Sequence, residues 1–257
     1  MHWSRSPAVG LLLFAATAVA GGGGLPTPLQ PFTADYLLTD GSTRVGRASI
    51  ALEPAPEGWR YRSRVRPEGL FALFAGKVED QTLLEVDGDE LRPLRFRHRE
   101  DEGSLTVDFD WAAGKARVTG RREATLPLEP GTHDQFSAML AVARAFAAGR
   151  ERLRLPSIDD DGETQPLVFE HAGTTTVEVP LGTYETVHVR RIRRNSSRET
   201  ETWLAPALDW VPVRIEQRKD GKLVARMDLI GLNGEQAELD TQSAGGKQEG
   251  FKLGTDR

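Results

Sequence analysis

Along much of the chain apolar and polar residues alternate one by one, the mark of strands with one face in a core and the other in water. From Trp59 to Arg66 (WRYRSRVR) the odd positions are mostly apolar and the even ones are all arginine. Residues 94–99 (LRFRHR) repeat the pattern, and 105–111 (LTVDFDW) follow it with aspartates in the polar places. A turn at 112–115 leads back through 116–119. Near the end, 211–215 (VPVRI) meets Asp220-Gly221, a favoured hairpin turn, and 223–229 (LVARMDL) returns from it. Weaker alternation marks 32–39, 44–52, 78–86, 174–180, 185–194 and 198–204. Roughly ten short strands joined by Gly and Asp turns predict a mainly β fold, a curved antiparallel sheet forming a barrel or a sandwich.

One stretch changes period. Thr132 and Gln135 have the spacing of a capping box, and Phe136, Met139, Leu140, Ala143, Phe146 and Ala147 then recur at helical intervals until Gly149. This predicts one amphipathic helix near 132–148, its apolar stripe packed on the sheet or plugging one end of a barrel.

The first 20 residues read as an address. Arg5 precedes an apolar run at 8–20 (AVGLLLFAATAVA) that ends in Ala18-Val19-Ala20, the layout of a cleaved secretory signal peptide. The run is short of the roughly 20 residues that cross a bilayer as a helix, which disfavours a membrane anchor. Residues 21–31 (GGGGLPTPLQP) form a flexible leader, 32–234 a single β domain, and 235–257 a polar, Gly-rich tail. The expected location is the periplasm.

Composition narrows the chemistry. The chain carries 33 Lys and Arg against 38 Asp and Glu, a net charge of -5, so a nucleic-acid partner is not expected. With no cysteine, disulfides, thiol nucleophiles, Cys-ligated zinc and a lipidated N-terminal cysteine are excluded. No P-loop, dinucleotide fingerprint or nucleophile elbow occurs, and the histidines lack metal-site spacing. Asp159-Asp160-Asp161-Gly162-Glu163 does not alternate its acids as a calcium loop does, and reads as a polar turn. No catalytic residue, metal or cofactor is assigned.

Three features invite a functional reading. His133 and Asp134 could act as base and orienter, but neighbours in a helical turn point apart, so a relay would need a third group. As structure, Asp134 suits a helix N-terminus and Gln135 caps it. Arg190, Arg191, Arg193 and Arg194 form a basic cluster, read either as a solvated strand face or as a contact for anionic groups. An apolar octet at 69–76 (GLFALFAG) joins two strands; connections are normally polar, so an apolar one plugs a core or covers a pocket.

From about residue 31 to 231 the chain resembles the bacterial exported family known as domain of unknown function 3108. The resemblance rests on Phe32-Thr33-Ala34-Asp35-Tyr36 with Gly41 and Gly46, on Phe109-Asp110-Trp111, and on Asp134-Gln135-Phe136-Ser137. It continues through Val179-Pro180-Leu181-Gly182-Thr183-Tyr184, then Trp203-Leu204-Ala205-Pro206 and Val211-Pro212-Val213-Arg214. It implies an exported, mainly β domain and supplies no catalytic residues.

The expectation is a non-catalytic periplasmic protein of the cell envelope whose sheet encloses an apolar or lipid-like ligand. Leu70, Phe71, Leu73 and Phe74 would form its lid, and Trp59, Tyr61, Phe109 and Trp111 its wall. The alternative is a protein–protein module of an envelope assembly, using the Arg190–Arg198 face or a sheet edge. A hydrolase built on His133 and Asp134 is the third reading.

Overall fold

The computed structural model describes residues 28–69, 72, 76–193 and 196–239. The proposed signal peptide, the lid residues Leu70, Phe71, Leu73 and Phe74, and Arg194 lie outside them. The first half is a run of hairpins: β1 (Phe32–Asp40), β2 (Thr43–Ala55), β3 (Gly58–Pro67), β4 (Val78–Asp87), β5 (Glu90–Glu100), β6 (Gly103–Asp110), β7 (Lys115–Gly120) and β8 (Ala124–Pro127). A two-residue strand, β9 (His133–Asp134), precedes the helix α1 (Ala138–Ala147). The second half comprises β10 (Arg152–Ile158), β11 (Thr164–Val179), β12 (Gly182–Ile192), β13 (Arg198–Ala205), β14 (Val211–Lys219), β15 (Lys222–Leu232) and β16 (Glu235–Gln236). A single 3-10 turn, Pro206–Leu208, separates β13 from β14.

All these strands belong to one sheet, 16-stranded among the described residues, in the order β8-β7-β6-β5-β4-β3-β2-β1-β15-β14-β13-β12-β11-β10-β9, with β16 paired to β15 off this path. The expectation of about ten strands was too low. The halves are two meanders, joined where β1 pairs antiparallel with β15 (Tyr36 opposite Leu229). The Asp-Gly hairpin forms as its sequence requires, with Asp220 at φ 52° and Gly221 at φ 73°. Gly46 is needed for another reason. A Cβ there would sit 2.5 Å from the Arg66 carbonyl oxygen, so only glycine lets β2 and β3 approach so closely.

The sheet curls without closing its ladder, and its two ends meet through side chains. Ile158 of β10 is buried with Phe96, Leu105, Val107 and Val118 from β5, β6 and β7. Beside them Arg121 Nη2 donates to the Asp160 carbonyl at 3.0 Å, and Arg122 pairs with Glu163 at 2.7 Å. The result is an open, barrel-like sheet wrapped round its apolar faces.

The helix sits inside this curve. Its residues Ala138, Val142 and Phe146 pack with Leu167, Phe169, Val189 and Leu204, while Leu140 joins the core around Tyr36, Leu52 and Tyr61. Burying each large apolar side chain here contributes about 1.5–3 kcal/mol. The helix starts later than its spacing predicts. Thr132 does not cap it: its hydroxyl donates to the Glu129 carbonyl at 2.7 Å. His133 and Asp134 instead extend as β9, parallel to β10, with Ser157 opposite His133. The expected tail is also partly ordered, since β16 pairs with β15 through Leu232 and Glu235.

Candidate functional site

At one mouth of the curled sheet lies a small apolar cleft of about 50 Å³. Residues 28–30 and Phe32 form one side, Leu52 of β2 and Tyr61 of β3 the floor, and Met139, Leu140, Ala143 and Arg144 of α1 the opposite wall. The turn between β13 and β14 completes it with Asp209, Trp210, Val211 and Pro212. The apolar wall is the helical stripe of the sequence, used here at its exposed end.

Two groups in this cleft are out of the ordinary. Arg144 Nε is buried and has no hydrogen-bond partner among the described residues. Burial lowers the Arg144 pKa, opposed by the charge of Asp89. A desolvated guanidinium N–H left unpaired is costly. The second is backbone: Asp209 at φ 52° and Trp210 at φ 65° are consecutive left-handed residues. Asp tolerates that region, but a bulky tryptophan there is a strained outlier, held by Trp210 N donating to the Ala205 carbonyl at 3.0 Å. Sequence reading stepped over both. Arg144 resembles any cation suited to a helix C-terminal turn.

The aromatic wall predicted from sequence does not surround one hollow. Tyr61 lines the cleft floor and Trp59 packs on the same core, but Phe109 and Trp111 belong to a separate cluster with Phe96 and Val107. Trp111 Nε1 donates to the Pro93 carbonyl at 2.7 Å, and Arg92 lies 5.9 Å from its ring. Phe136 packs against both clusters and stacks on Tyr61.

Deeper inside, β9 brings a polar knot to the core. Asp134 Oδ1 accepts from Thr82 Oγ1 (2.9 Å), Phe136 N (3.0 Å) and Ser137 N (2.8 Å). Its Oδ2 accepts from Ser137 Oγ at 2.7 Å, and His133 Nδ1 lies 3.2 Å from that hydroxyl. Burial raises the Asp134 pKa, and the hydrogen bonds from Ser137, Thr82 and Phe136 oppose the rise. Burial alone lowers His133 to about 4. Ser137 is thus the third group that joins His133 to Asp134. The Ser137 hydroxyl points its proton at the Asp134 carboxylate rather than at His133, which is not the order of a nucleophile relay. Asp134, His133 and Ser137 are all buried, so the knot braces the helix start against β4.

Of the arginine cluster, Arg190, Arg191 and Arg193 lie within the described residues. Arg190 Nε pairs with Glu201 at 3.2 Å on the outer face of β12. Arg191 and Arg193 lie on the other face, where burial lowers the pKa of each, Arg193 to about 10 with Arg191 and Arg198 adding to the effect. Arg193 Nη1 donates to Thr200 Oγ1 at 3.0 Å and to the Arg198 carbonyl at 3.4 Å. Arg190 and Arg191, successive residues of β12, point to opposite faces. Asp159 serves its own turn, its Oδ1 accepting from Asp161 N (3.1 Å) and Glu163 N (2.8 Å). Among the described residues no group of three or more His, Asp or Glu side chains could hold a metal ion, and no helix is long and apolar enough to cross a membrane.

One solved structure shares the architecture. A β-barrel-like protein of domain of unknown function 1849 from Brucella abortus matches with TM-score 0.55 at 16% identity, covering 80% of this chain and 98% of its own. A protein from Bacteroides fragilis, described as exported and of YmcC-like fold, matches at TM-score 0.31 and 12% identity, covering 81% of this chain and 99% of its own. No curated protein matches. The model of a family described as a protein of unknown function, DUF3108, matches residues 32–229, and the chain belongs to that family.

Proposed function

We propose that this is a non-catalytic, exported protein of the periplasm that holds a small amphiphile at the mouth of its barrel-like sheet. The apolar end lies against Leu52, Tyr61, Met139 and Leu140, and the anionic end on Arg144. The observation that carries this reading is the buried Arg144 Nε without a partner in a mostly apolar cleft, whose other polar side chains are Gln30 and Asp209. An anion there would satisfy a donor that the fold leaves unpaired. Strain at Trp210 supports it, since sparsely populated backbone conformations cluster at ligand clamps.

The cleft is well below the roughly 150 Å³ cavity that holds benzene, so a guest with more than a few carbons needs residues 28–30 to swing aside. The lid in this reading is that segment, next to the guest, and not the octet at 69–76.

Octanoate and octanol make the test, read by thermal unfolding and Trp fluorescence. Octanoate at a hundred times its Kd stabilises the protein by about 2.7 kcal/mol, and octanol does so far less. Arg144→Met keeps the fold and erases the preference for the carboxylate. The proposal fails if neither compound shifts the transition, or if Arg144→Met binds octanoate as the wild type does.

A further inference from the structure

The outer face of β2 to β7 carries arginines in a regular grid. Register places Arg62 of β3 opposite Gln81 of β4, Gln81 opposite Arg97 of β5, and Arg97 opposite Thr106 of β6. One step along, Arg64, Glu79 and Arg99 align in the same way. Arg47 of β2 lies opposite Arg66. Successive arginines on β5 are about 6.8 Å apart, and those on β3 and β5 about 9.5 Å apart across β4.

Three carboxylates on this face are already engaged, while Glu85 and Asp110 form no ion pair among the described residues. Glu53 takes Arg60 and Arg62, Glu79 takes Arg64 at 3.3 Å, and Asp108 takes Arg95. Arg66, Arg97, Arg99 and Arg117 are exposed and form no ion pair among the described residues. A protein of net charge -5 therefore concentrates unpaired positive charge on one face of one sheet.

We infer that this face docks on the phosphate-bearing surface of an anionic lipid bilayer. Two properties select that partner over an acidic protein. Between the arginines lie Ser49, Gln81, Ser104, Thr106 and Thr119, with Leu83 the one large apolar side chain, so the face lacks the aromatic and aliphatic anchors on which protein interfaces depend. A repeating array of planar guanidinium forks suits a repeating layer of phosphates, each able to accept two hydrogen bonds. The inference is independent of the Arg144 cleft, which uses none of these residues.

Sedimentation with vesicles tests it. The probes are vesicles of phosphatidylglycerol and phosphatidylcholine, and of phosphatidylcholine alone, at low and at high salt. Wild-type protein binds the anionic vesicles at low salt, leaves them as salt rises, and ignores the neutral ones. Arg66→Gln, Arg97→Gln and Arg99→Gln combined weaken partitioning by roughly a hundredfold. A control with Arg150→Gln, Arg154→Gln and Lys222→Gln removes the same charge elsewhere and stays within about threefold of wild type. Unchanged thermal unfolding shows that both triple variants are folded. The inference is overturned if the grid variant binds as wild type, if neutral vesicles bind equally, or if no vesicle binds. Binding of soluble poly-glutamate, lost in the grid variant, with no vesicle binding would assign the face to an acidic protein and overturn it too.

Discussion

Phe136 lies flat on Tyr61, with ring centroids 4.1 Å apart and planes 9° apart, and also touches the cluster around Phe96 and Val107. One ring at the entrance to the helix thus joins two otherwise separate cores.

Removing that ring should be costly. Phe136→Ala is expected to lose about 3 kcal/mol, the transfer and cavity terms of a large side chain together with a lost stacking partner. Urea denaturation checks it. A loss below about 1 kcal/mol would mean that the neighbours collapse into the gap and that the ring is not what joins the cores.

Asp134 presents a sharper case, because its two oxygens accept from two hydroxyls and two backbone amides. Asp134→Ala leaves buried donors unpaired and is expected to cost about 3 kcal/mol or more, whereas Asp134→Asn keeps one acceptor oxygen and costs less. Chemical denaturation of both variants gives the ranking, and equal losses would contradict it.

His98 is buried between Asp80 at 2.7 Å and Glu100 at 2.9 Å. Burial alone would lower its pKa, but the hydrogen bonds with Asp80 and Glu100 and the charges of Asp80 and Asp160 outweigh that and hold it above the ordinary value. Its share of the stability is therefore complete below the unfolded pKa of about 6.5 and fades as pH rises through the folded value. His98→Gln should lose most near about pH 6 and least near about pH 9. A loss that does not vary with pH would show that the imidazole is neutral.

His133 titrates the opposite way. Held neutral by burial to about pH 4, it stays unprotonated while the unfolded chain takes up its proton from about pH 6.5 downward. Stability should fall by on the order of 3 kcal/mol across that window. His133→Gln should flatten this part of the acid unfolding curve, followed by circular dichroism at fixed urea.

Gly46→Ala should cost about 2 kcal/mol, because its Cβ would press on the Arg66 carbonyl and force β2 and β3 apart. A thermal melt measures it. Gly41, at a φ of 58° with open space around its Cβ position, would pay only for backbone conformation on the same change.

The strands legible in the sequence were those with long alternating runs. The arginine ladder at 59–66 forms β3, and 94–99 lies within β5. β10 escaped because Pro156 interrupts its alternation; it lies opposite Pro166, and β9 pairs only with the Ser157 and Ile158 end of the strand. β9 escaped because its pairing is wholly tertiary. Thr132 and Gln135 imitated a helix cap, yet the carboxylate that binds the Phe136 and Ser137 amides belongs to Asp134, held in place by Thr82 some fifty residues earlier. Tyr61, expected from its alternation to face inward, lines the cleft floor. Arg144 was not legible, because only the fold brings residues 28–30 and the strained turn at Trp210 to the same cleft and leaves its Nε buried without a partner.

The pairing of β1 with β15 has an architectural consequence. Asn233 N donates to the Thr33 carbonyl at 2.8 Å, so the beginning and end of the domain lie side by side. Each half is a meander of neighbour-to-neighbour hairpins, while this junction spans almost the whole domain. A circular permutant that links residue 233 to residue 32 and opens the chain at 128–131 would retain the hairpins and make the most distant pairing a local one. Such a molecule should fold faster than the natural order of its halves allows.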